Sequence, residues 1–234
     1  MTHGMTPPPI EERTVMALGT AVIVGVGPGL GLALARTFAD AGHPVALLAR
    51  DRARLDSYAG ELAAAGHDVR GYATDAGDPG NLRAALHSAI TELGAPDVLV
   101  YNVGVLRRDS PTGGDDQDWA RVTAMNVLGA RVAAEAVLPE LRDGRGSLLF
   151  TGGGYALHPS KDFASLSVGK AALRAYVQVL HDQLAGTGVH ATSVTITDEI
   201  GGGETRFDPA VLAQAYLELH NQPETEWQHE LMRY

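Results

Sequence analysis

Four glycines in seven residues follow the first apolar run of the chain, in the segment Gly25-Val-Gly27-Pro28-Gly29-Leu30-Gly31. Glycine lets a backbone turn tightly and approach a phosphate closely, and the start of a helix adds free N–H groups and a positive dipole end. This segment therefore indicates a site for the pyrophosphate of a dinucleotide. Any tight connection between a strand and a helix can use glycine, so the surrounding elements must decide between the two interpretations.

Short apolar runs alternate with amphipathic stretches of helical length from Thr20 onward, which predicts parallel strands joined by crossover helices. We expect six strands, at about Ala21–Val26, Pro44–Ala49, Asp68–Ala73, Asp97–Asn102, Ser147–Thr151 and His190–Ile196. We expect helices at about Leu30–Ala41, Arg52–Ala65, Gly80–Glu92, Gln117–Leu141, Phe163–Gly186 and Ala210–His220. The pattern assigns no element to the tail from Asn221 to Tyr234.

The composition narrows the class of protein. A chain of 234 residues fits one α/β domain. A net charge of −10 argues against a nucleic-acid surface, and the absence of cysteine excludes disulfides and thiol chemistry. Residues 1–19 contain Pro7 to Pro9 and no apolar run, so we expect a loose arm on a cytoplasmic protein that does not enter a membrane. The nine histidines are scattered, so we predict no metal site.

The glycine spacing, together with the order of later motifs, resembles the short-chain dehydrogenase/reductase family from Thr20 to about Ile200. The resemblance implies a single domain at 20–234 with a Rossmann-type, doubly wound parallel β-sheet flanked by helices. It implies a small-molecule substrate bound by residues 103–116 and 197–234. It also implies a homodimer or homotetramer formed through the fifth and sixth helices, where 127–138 and 173–184 are rich in apolar residues.

The resemblance also implies a nicotinamide cofactor. Arg50 ends the second strand and could bind a ribose 2′-phosphate, so NADP(H) is preferred, with NAD(H) as the alternative. Arg50 could equally be a solvated charge, and Asp51 is better explained as a helix cap. The residues implied to bind cofactor are Gly25, Gly27, Pro28, Gly29, Leu30, Gly31, Arg50, Asp75, Ala76, Asn102, Gly104 and Lys170.

The motifs that carry the family's chemistry are only partly present. Asn126 and Lys170 match the family's asparagine and lysine, but Leu166 stands four residues before Lys170, where the family has a proton-donating tyrosine. The family's serine aligns with Gly152, beside the hydroxyl of Thr151. We take Asn126, Lys170, Thr151 and Tyr155 as the candidate catalytic residues, with Tyr155 as the first choice of replacement donor. His158, Ser165 and Ser167 are further candidates.

Losing a general acid costs about 10²–10⁴ in rate, so carbonyl reduction without a substitute donor would be much slower. Three hypotheses follow. The chain is an oxidoreductase with a non-standard active site, acting on a small carbonyl or hydroxyl substrate. Alternatively, it is a non-redox cyclase, isomerase or dehydratase on the same fold. The third hypothesis is a cofactor-binding subunit that catalyses nothing.

Overall fold

A computed structural model describes residues 17–234, so most of the arm predicted at 1–19 lies outside the described residues. The seven strands are β1 (Thr20–Val24), β2 (Val45–Ala49), β3 (Val69–Ala73), β4 (Pro96–Tyr101), β5 (Gly146–Thr151), β6 (Val189–Ile196) and β7 (Glu230–Arg233). Every residue of β1 and β4 is buried, as their continuous apolar runs require in a sheet covered on both faces.

All strand pairs are parallel, and the strand order is β3-β2-β1-β4-β5-β6-β7. The predicted Rossmann-type sheet is therefore confirmed, and all six predicted strands are present. The seventh strand, β7, is an addition to the prediction. It lies in the polar tail, where the pairing of Ser193 with Glu230 and of Ile196 with Arg233 places it beside β6. Such a short segment lacks an apolar pattern of its own.

The helices are α1 (Leu30–Asp40), α2 (Arg52–Ala64), α3 (Pro79–Leu93), α4 (Asp116–Thr123), α5 (Gly129–Val137), α6 (Ala164–Gln183) and α7 (Pro209–Asn221). One core lies on the α1, α2 and α7 face of the sheet, and a second core lies on the α3, α5 and α6 face. Within residues 17–234, none of these helices combines the length and apolar character needed to cross a membrane.

The prediction of one continuous helix over Gln117–Leu141 is wrong. The structure divides it into α4, a π-helical segment at Ala124–Leu128, and α5. The Tyr101 hydroxyl donates a hydrogen bond to the Met125 carbonyl inside this segment, and Gly129 lies against the Tyr101 hydroxyl with no room for a Cβ. A phenol that binds a helix carbonyl favours the wider turn. Helical periodicity alone does not show this contact from a neighbouring strand.

The strand order reverses direction between β1 and β4. The connections from β1 run towards β2 and β3, whereas the later strands lie on the other side. In a parallel sheet, this reversal opens a crevice beyond the carboxyl ends of the two central strands. The turn after β1 and the loop after β4 must therefore form the walls of the main cleft.

Candidate functional site

The crevice at the β1/β4 reversal is a cavity of about 590 Å³. Its walls come from the turns that follow β1, β2, β3 and β4, together with Met125 of the π-helical segment. The predicted cofactor residues that line it are Gly25, Gly27, Arg50, Asp75, Ala76, Asn102 and Gly104. Arg54 and Met125 also line the cavity, and no motif in the sequence predicts them.

The remaining residues of the glycine-rich segment shape the turn. A Cβ on Gly31 would lie 2.8 Å from the Gly25 carbonyl oxygen, so glycine is required for α1 to pack against β1. Pro28 and Gly29 are exposed at the start of α1, Leu30 is buried in the core, and no side chain caps the helix. The first N–H groups of α1 are therefore available to an anion.

Gly25 is the tightest point of the turn. Its φ is +93°, and a Cβ there would lie 2.5 Å from the Asn102 carbonyl oxygen. The Asn102 side-chain amide donates to the Gly25 carbonyl at 3.0 Å, so the turn after β1 and the loop after β4 are fastened together. Asn102 thus buttresses the cavity wall.

Charged side chains surround the β2 and β3 ends of the cavity. Arg50 is exposed, whereas the Asp51 carboxylate accepts a hydrogen bond from the Arg54 N–H at 3.1 Å and so caps α2, as predicted. Asp75 accepts one bond from the Gly77 N–H at 2.9 Å and another from the Arg121 guanidinium at 2.7 Å. Arg121 on α4 was missed, because no sequence signal joins it to Asp75 across 46 residues.

Lys170 is buried and is not among the residues that line the cavity, although its side chain runs to the carboxyl ends of β4 and β5. Its ammonium donates to the Val103 carbonyl at 3.0 Å and to the Thr151 carbonyl at 2.7 Å. A Cβ on Gly104, which lines the cavity, would lie 3.7 Å from Nζ. Burial disfavours the charged amine and lowers the pKa of Lys170 to about 8.

Asn126 is held in the π-helical segment and is fully buried. Its side-chain amide donates to the Val122 carbonyl at 3.0 Å, while its Oδ1 has no partner among the described residues. A Cβ on Gly169 of α6 would lie 2.9 Å from the Asn126 Cβ. Asn126 therefore packs directly on the helix that carries Lys170, and its free oxygen can accept one further hydrogen bond.

Leu166 lies one helical turn before Lys170 on α6 and is only 7% exposed, so an apolar side chain fills the family's tyrosine position. Gly152 follows β5, and a Cβ there would lie 2.5 Å from the Thr195 hydroxyl oxygen. The space that a serine would need at position 152 is thus closed by a residue of β6.

Thr195 belongs to a polar group that sequence analysis missed. Its hydroxyl donates to the Glu230 carboxylate at 2.6 Å, and the Arg174 guanidinium binds the same carboxylate with contacts of 2.6–3.0 Å. Burial opposes the charge of Glu230, but the hydrogen bonds from Arg174 and Thr195 outweigh it, so the pKa of Glu230 is lowered. In the sequence, this polar group is indicated only by the position of Arg174, one helical turn after Lys170.

The structure turns the Thr151 hydroxyl away from Lys170. It donates to Asn102 Oδ1 at 2.8 Å and lies 2.7 Å from the hydroxyl of Tyr216, on α7. Phe150, the preceding residue, packs in the core on the α6 face, so successive side chains of β5 point to opposite faces of the sheet. Only the Thr151 carbonyl is brought to Lys170.

Tyr155 lies in the loop after β5 with its ring against Phe163, at a centroid separation of 5.3 Å. The Arg108 guanidinium covers the Phe163 ring at 5.5 Å. The loop at 103–116 is thereby joined to the loop before α6, and Asp109 Oδ1 also accepts the Ser165 N–H at 3.2 Å. Ser167 serves the same loop, since its hydroxyl donates to the Phe163 carbonyl at 2.8 Å.

An apolar groove of about 540 Å³ lies on the outer surface of α4, the π-helical segment and α6, lined in part by Trp119, Val127, Leu128 and Tyr176. Leu128 is 40% exposed. The groove includes residues of both stretches that were predicted to support self-association, and that prediction stays a prediction.

Comparison with known proteins decides the family. The pattern of a family described as short chain dehydrogenase matches residues 19–198. The chain belongs to the short-chain dehydrogenase family. The resemblance found in the sequence is therefore confirmed. A short chain dehydrogenase from Pseudocercospora fijiensis is 28% identical over 198 residues, which cover 82% of this chain and 64% of that relative. The chain thus spans less than two thirds of that relative's length.

Two solved structures show the same fold. A short-chain dehydrogenase from Rhodopseudomonas palustris has a TM-score of 0.82 and 26% identity, covering 92% of this chain and 97% of that one. An NADPH-bound short-chain oxidoreductase from Pseudomonas aeruginosa PAO1, described as containing an atypical catalytic center, has a TM-score of 0.81 and 22% identity. That likeness covers 91% of this chain and 94% of the other.

Proposed function

We propose that the protein is an NADP(H)-dependent oxidoreductase that acts on a small carbonyl or hydroxyl substrate. The observation that carries the proposal is the cavity of about 590 Å³ across the carboxyl ends of β1 to β4. It combines the glycine turn at the start of α1 with an exposed guanidinium after β2 and a carboxylate after β3. These are the groups that a phosphorylated dinucleotide requires.

The residues fit such a cofactor. The α1 N-terminus would hold the pyrophosphate, Arg50 the ribose 2′-phosphate, Asp75 the adenine amino group, and Lys170 the ribose next to the nicotinamide. The Asn126 Oδ1, buried and without a partner, is a further acceptor on the helix that packs against α6. When bound, the reduced nicotinamide supplies a hydride to the substrate carbonyl.

The protein's own residues would fix the reaction geometry. Asn102 fastens the turn after β1 to the loop after β4, and Lys170 ties the carbonyls of Val103 and Thr151 together. The rings of Tyr155 and Phe163, with the Arg108 guanidinium over Phe163, would cover the substrate. Exclusion of water on that side would protect the transferred hydride.

The NADPH-bound relative from Pseudomonas aeruginosa supports the proposal, since its description combines this cofactor with an atypical catalytic center. By analogy, an altered center in this chain is compatible with retained cofactor binding. The preference for NADP(H) over NAD(H) rests on Arg50.

Titration calorimetry with NADPH and NADH would test cofactor binding and choice. Arg50→Ala should weaken NADPH binding at least tenfold and leave NADH binding within about twofold, because only NADPH carries the 2′-phosphate. Arg52→Ala is the matched control, since Arg52 lies outside the cavity lining and pairs with Asp56 at 3.0 Å. Equal losses in the two variants, or no affinity of the wild type for either dinucleotide, would contradict the proposal.

A cofactor-binding protein without redox activity is the second candidate, favoured by the buried Leu166. Absorbance of the reduced nicotinamide, followed with a panel of aldehydes, ketones and α-diketones, distinguishes the two. Oxidation of NADPH by the wild type supports the oxidoreductase. Oxidation only by Leu166→Tyr would show that the natural protein binds cofactor without using it.

A further inference from the structure

The carboxylate of Asp75 is held from two sides at the wall of the main cavity. Its Oδ1 accepts the Gly77 N–H at 2.9 Å, and its Oδ2 accepts the Arg121 guanidinium at 2.7 Å. The Asp75 backbone N–H donates to Asn81 Oδ1 at 2.8 Å, so the main chain is fixed at this position as well. A carboxylate oxygen has two lone pairs, and each Asp75 oxygen therefore keeps one for a ligand.

Arg121 reaches Asp75 from another element of the fold. Asp75 follows β3, whereas Arg121 lies on α4, and the π-helical continuation of α4 carries Met125 four residues later. Met125 lines the cavity and packs on the turn that follows Asp75, since a Cβ on Gly77 would lie 3.0 Å from the Met125 side chain. One face of this helical segment thus supplies both an apolar contact at the cavity wall and the cation that binds Asp75.

The ion pair between Arg121 and Asp75 stands apart from the other charges of the cavity wall. The Asp51 carboxylate is bound by Arg54, whose Nε lies 3.3 Å away. Within residues 17–234, Arg121 forms an ion pair with Asp75 alone, and it does not line the cavity. An ion pair this exposed contributes little to stability, but the guanidinium bond fixes the orientation of the carboxylate. Any effect of Arg121 on a bound dinucleotide must pass through Asp75.

The orientation of this carboxylate decides which purine base it accepts. Adenine carries an exocyclic amino group, which donates hydrogen bonds, whereas hypoxanthine carries a carbonyl at the same place, which accepts them. A carboxylate held in one orientation bonds to the amino group but faces the carbonyl with two acceptors opposed. A carboxylate that is free to rotate can turn to water and avoid the opposed acceptors, so it discriminates less between the two bases.

We propose that Arg121 is a positioning residue that makes the cofactor site selective for an adenine base, an inference that rests on the proposed binding of NADP(H). Arg121 holds the Asp75 carboxylate so that a free lone pair faces the amino group of the base. In this way α4, whose Arg121 does not touch the dinucleotide, takes part in the choice of cofactor.

Titration calorimetry at pH 7 with NADPH and with its reduced hypoxanthine analogue measures this selectivity directly. The two dinucleotides carry the same charge at this pH, so the effect of a changed protein charge cancels in the ratio of their dissociation constants. We expect the wild type to bind NADPH more tightly than the analogue by about tenfold or more. Arg121→Met should reduce this preference to about threefold or less, because the carboxylate loses one of its two anchors.

Arg83→Met is the matched control. Arg83 pairs with Glu135 at 3.0 Å, its side chain is 45% exposed against 53% for Arg121, and it lies outside the cavity lining. Both dissociation constants should stay within about twofold of wild type in this variant. Arg121→Gln is a second variant in case methionine is not tolerated at the exposed position, and thermal unfolding checks that each variant is folded.

A double variant tests whether Arg121 acts through Asp75. Asp75→Asn should remove most of the preference for adenine by itself, because the carboxylate is lost. Asp75→Asn combined with Arg121→Met should then show the same preference as Asp75→Asn alone, since two residues that act as one unit are not additive.

The outcomes distinguish failure of this inference from failure of the proposed function. A wild type without affinity for NADPH would overturn the proposed function, and the role of Arg121 with it. A wild type that binds both dinucleotides equally would overturn the base selectivity and leave NADPH binding in place. Equal weakening of both dinucleotides in the folded Arg121 variants, with the preference retained, would show that the arginine supplies only charge and would overturn its positioning role.

Discussion

At the β1 end of the cleft the protein presents backbone and open space, whereas around Lys170 the polar groups bind backbone carbonyls and one another. The glycine turn leaves helix N–H groups uncapped and a Cβ on Gly27 would meet nothing within 4 Å. Around Lys170, by contrast, the amine is held by two carbonyls and the Thr151 hydroxyl by Tyr216. The β1 end is therefore open to a ligand. Around Lys170, contacts within the protein stand where the family has its catalytic groups.

This difference shows that binding and chemistry can change independently on one sheet. The binding end depends on backbone conformation, which a few glycines impose. The chemical end depends on which side chains reach one point from β5, β6, α6 and β7, so one replacement there alters the partners of several others. Substitutions at the two ends should therefore differ in their effects on stability.

Gly25→Ala should damage the binding end most. The residue has a φ of +93°, and its new Cβ would lie 2.5 Å from the Asn102 carbonyl oxygen. We expect a loss of about 3–4 kcal/mol in the free energy of unfolding, measured by urea denaturation. Gly27→Ala is the control for stability and should stay within about 0.5 kcal/mol of wild type, since the added methyl meets no protein atom. Equal stability of both variants would contradict the tight-turn account.

Lys170 should give the chemical end a pH-dependent stability. In the folded protein the amine releases its proton near pH 8, and in the unfolded chain near 10.5. Between these values the unfolded chain binds more protons, so the free energy of unfolding should rise with pH, by about 3 kcal/mol in total. Chemical denaturation of wild type and Lys170→Met from pH 7 to pH 10.5 would test this. The methionine variant should be the more stable protein at pH 7, and the difference in the free energy of unfolding should shrink as the pH rises. Parallel curves for the two proteins would contradict it.

Glu230 of β7 should stabilise the packing of the C-terminal tail on α6 through its ion pair with Arg174. Replacing it with glutamine removes the charge that binds Arg174, at a cost of about 2 kcal/mol, limited by the partial exposure of Arg174. The pKa of Glu230 is lowered by folding, so its stabilisation is present above the unfolded value of 4.5 and is lost as the pH falls through the folded value. In urea denaturation between pH 7 and pH 3, the wild type should keep its advantage over Glu230→Gln above pH 4.5 and lose it progressively below that value. A constant difference across this interval would argue against the ion pair.

The smallest changes in stability are expected from alanine substitutions at two helical glycines, Gly169 and Gly60. Gly169→Ala places a Cβ 2.9 Å from that of Asn126 and should cost about 1 kcal/mol, because overpacking exceeds the gain in helix propensity. Gly60→Ala on the exposed surface of α2 meets nothing within 4 Å and should add about 0.5–1 kcal/mol. Thermal unfolding of the two variants should therefore shift in opposite directions. A stabilising Gly169→Ala would show that Asn126 does not press on α6.

Sequence patterns predicted the cleft end of the molecule better than the chemical end. The run from Gly25 to Gly31, the six strands and the Asp51 cap follow from local backbone requirements, which are visible in neighbouring residues. The division of the helix at Ala124–Leu128 depends on the Tyr101 hydroxyl, and strand β7 depends on pairing with β6. Neither leaves a local pattern.

By itself the sequence determined the parallel sheet, the family and the loss of the tyrosine at Leu166, because apolar periodicity, glycine spacing and residue identity are local properties. Only the tertiary structure decided which groups surround Lys170, that the Thr151 hydroxyl faces α7, and that Glu230 of the tail binds Arg174. The last two of these contacts join residues 65 and 56 positions apart. Their partners depend on how whole strands and helices pack, which no short stretch of sequence records.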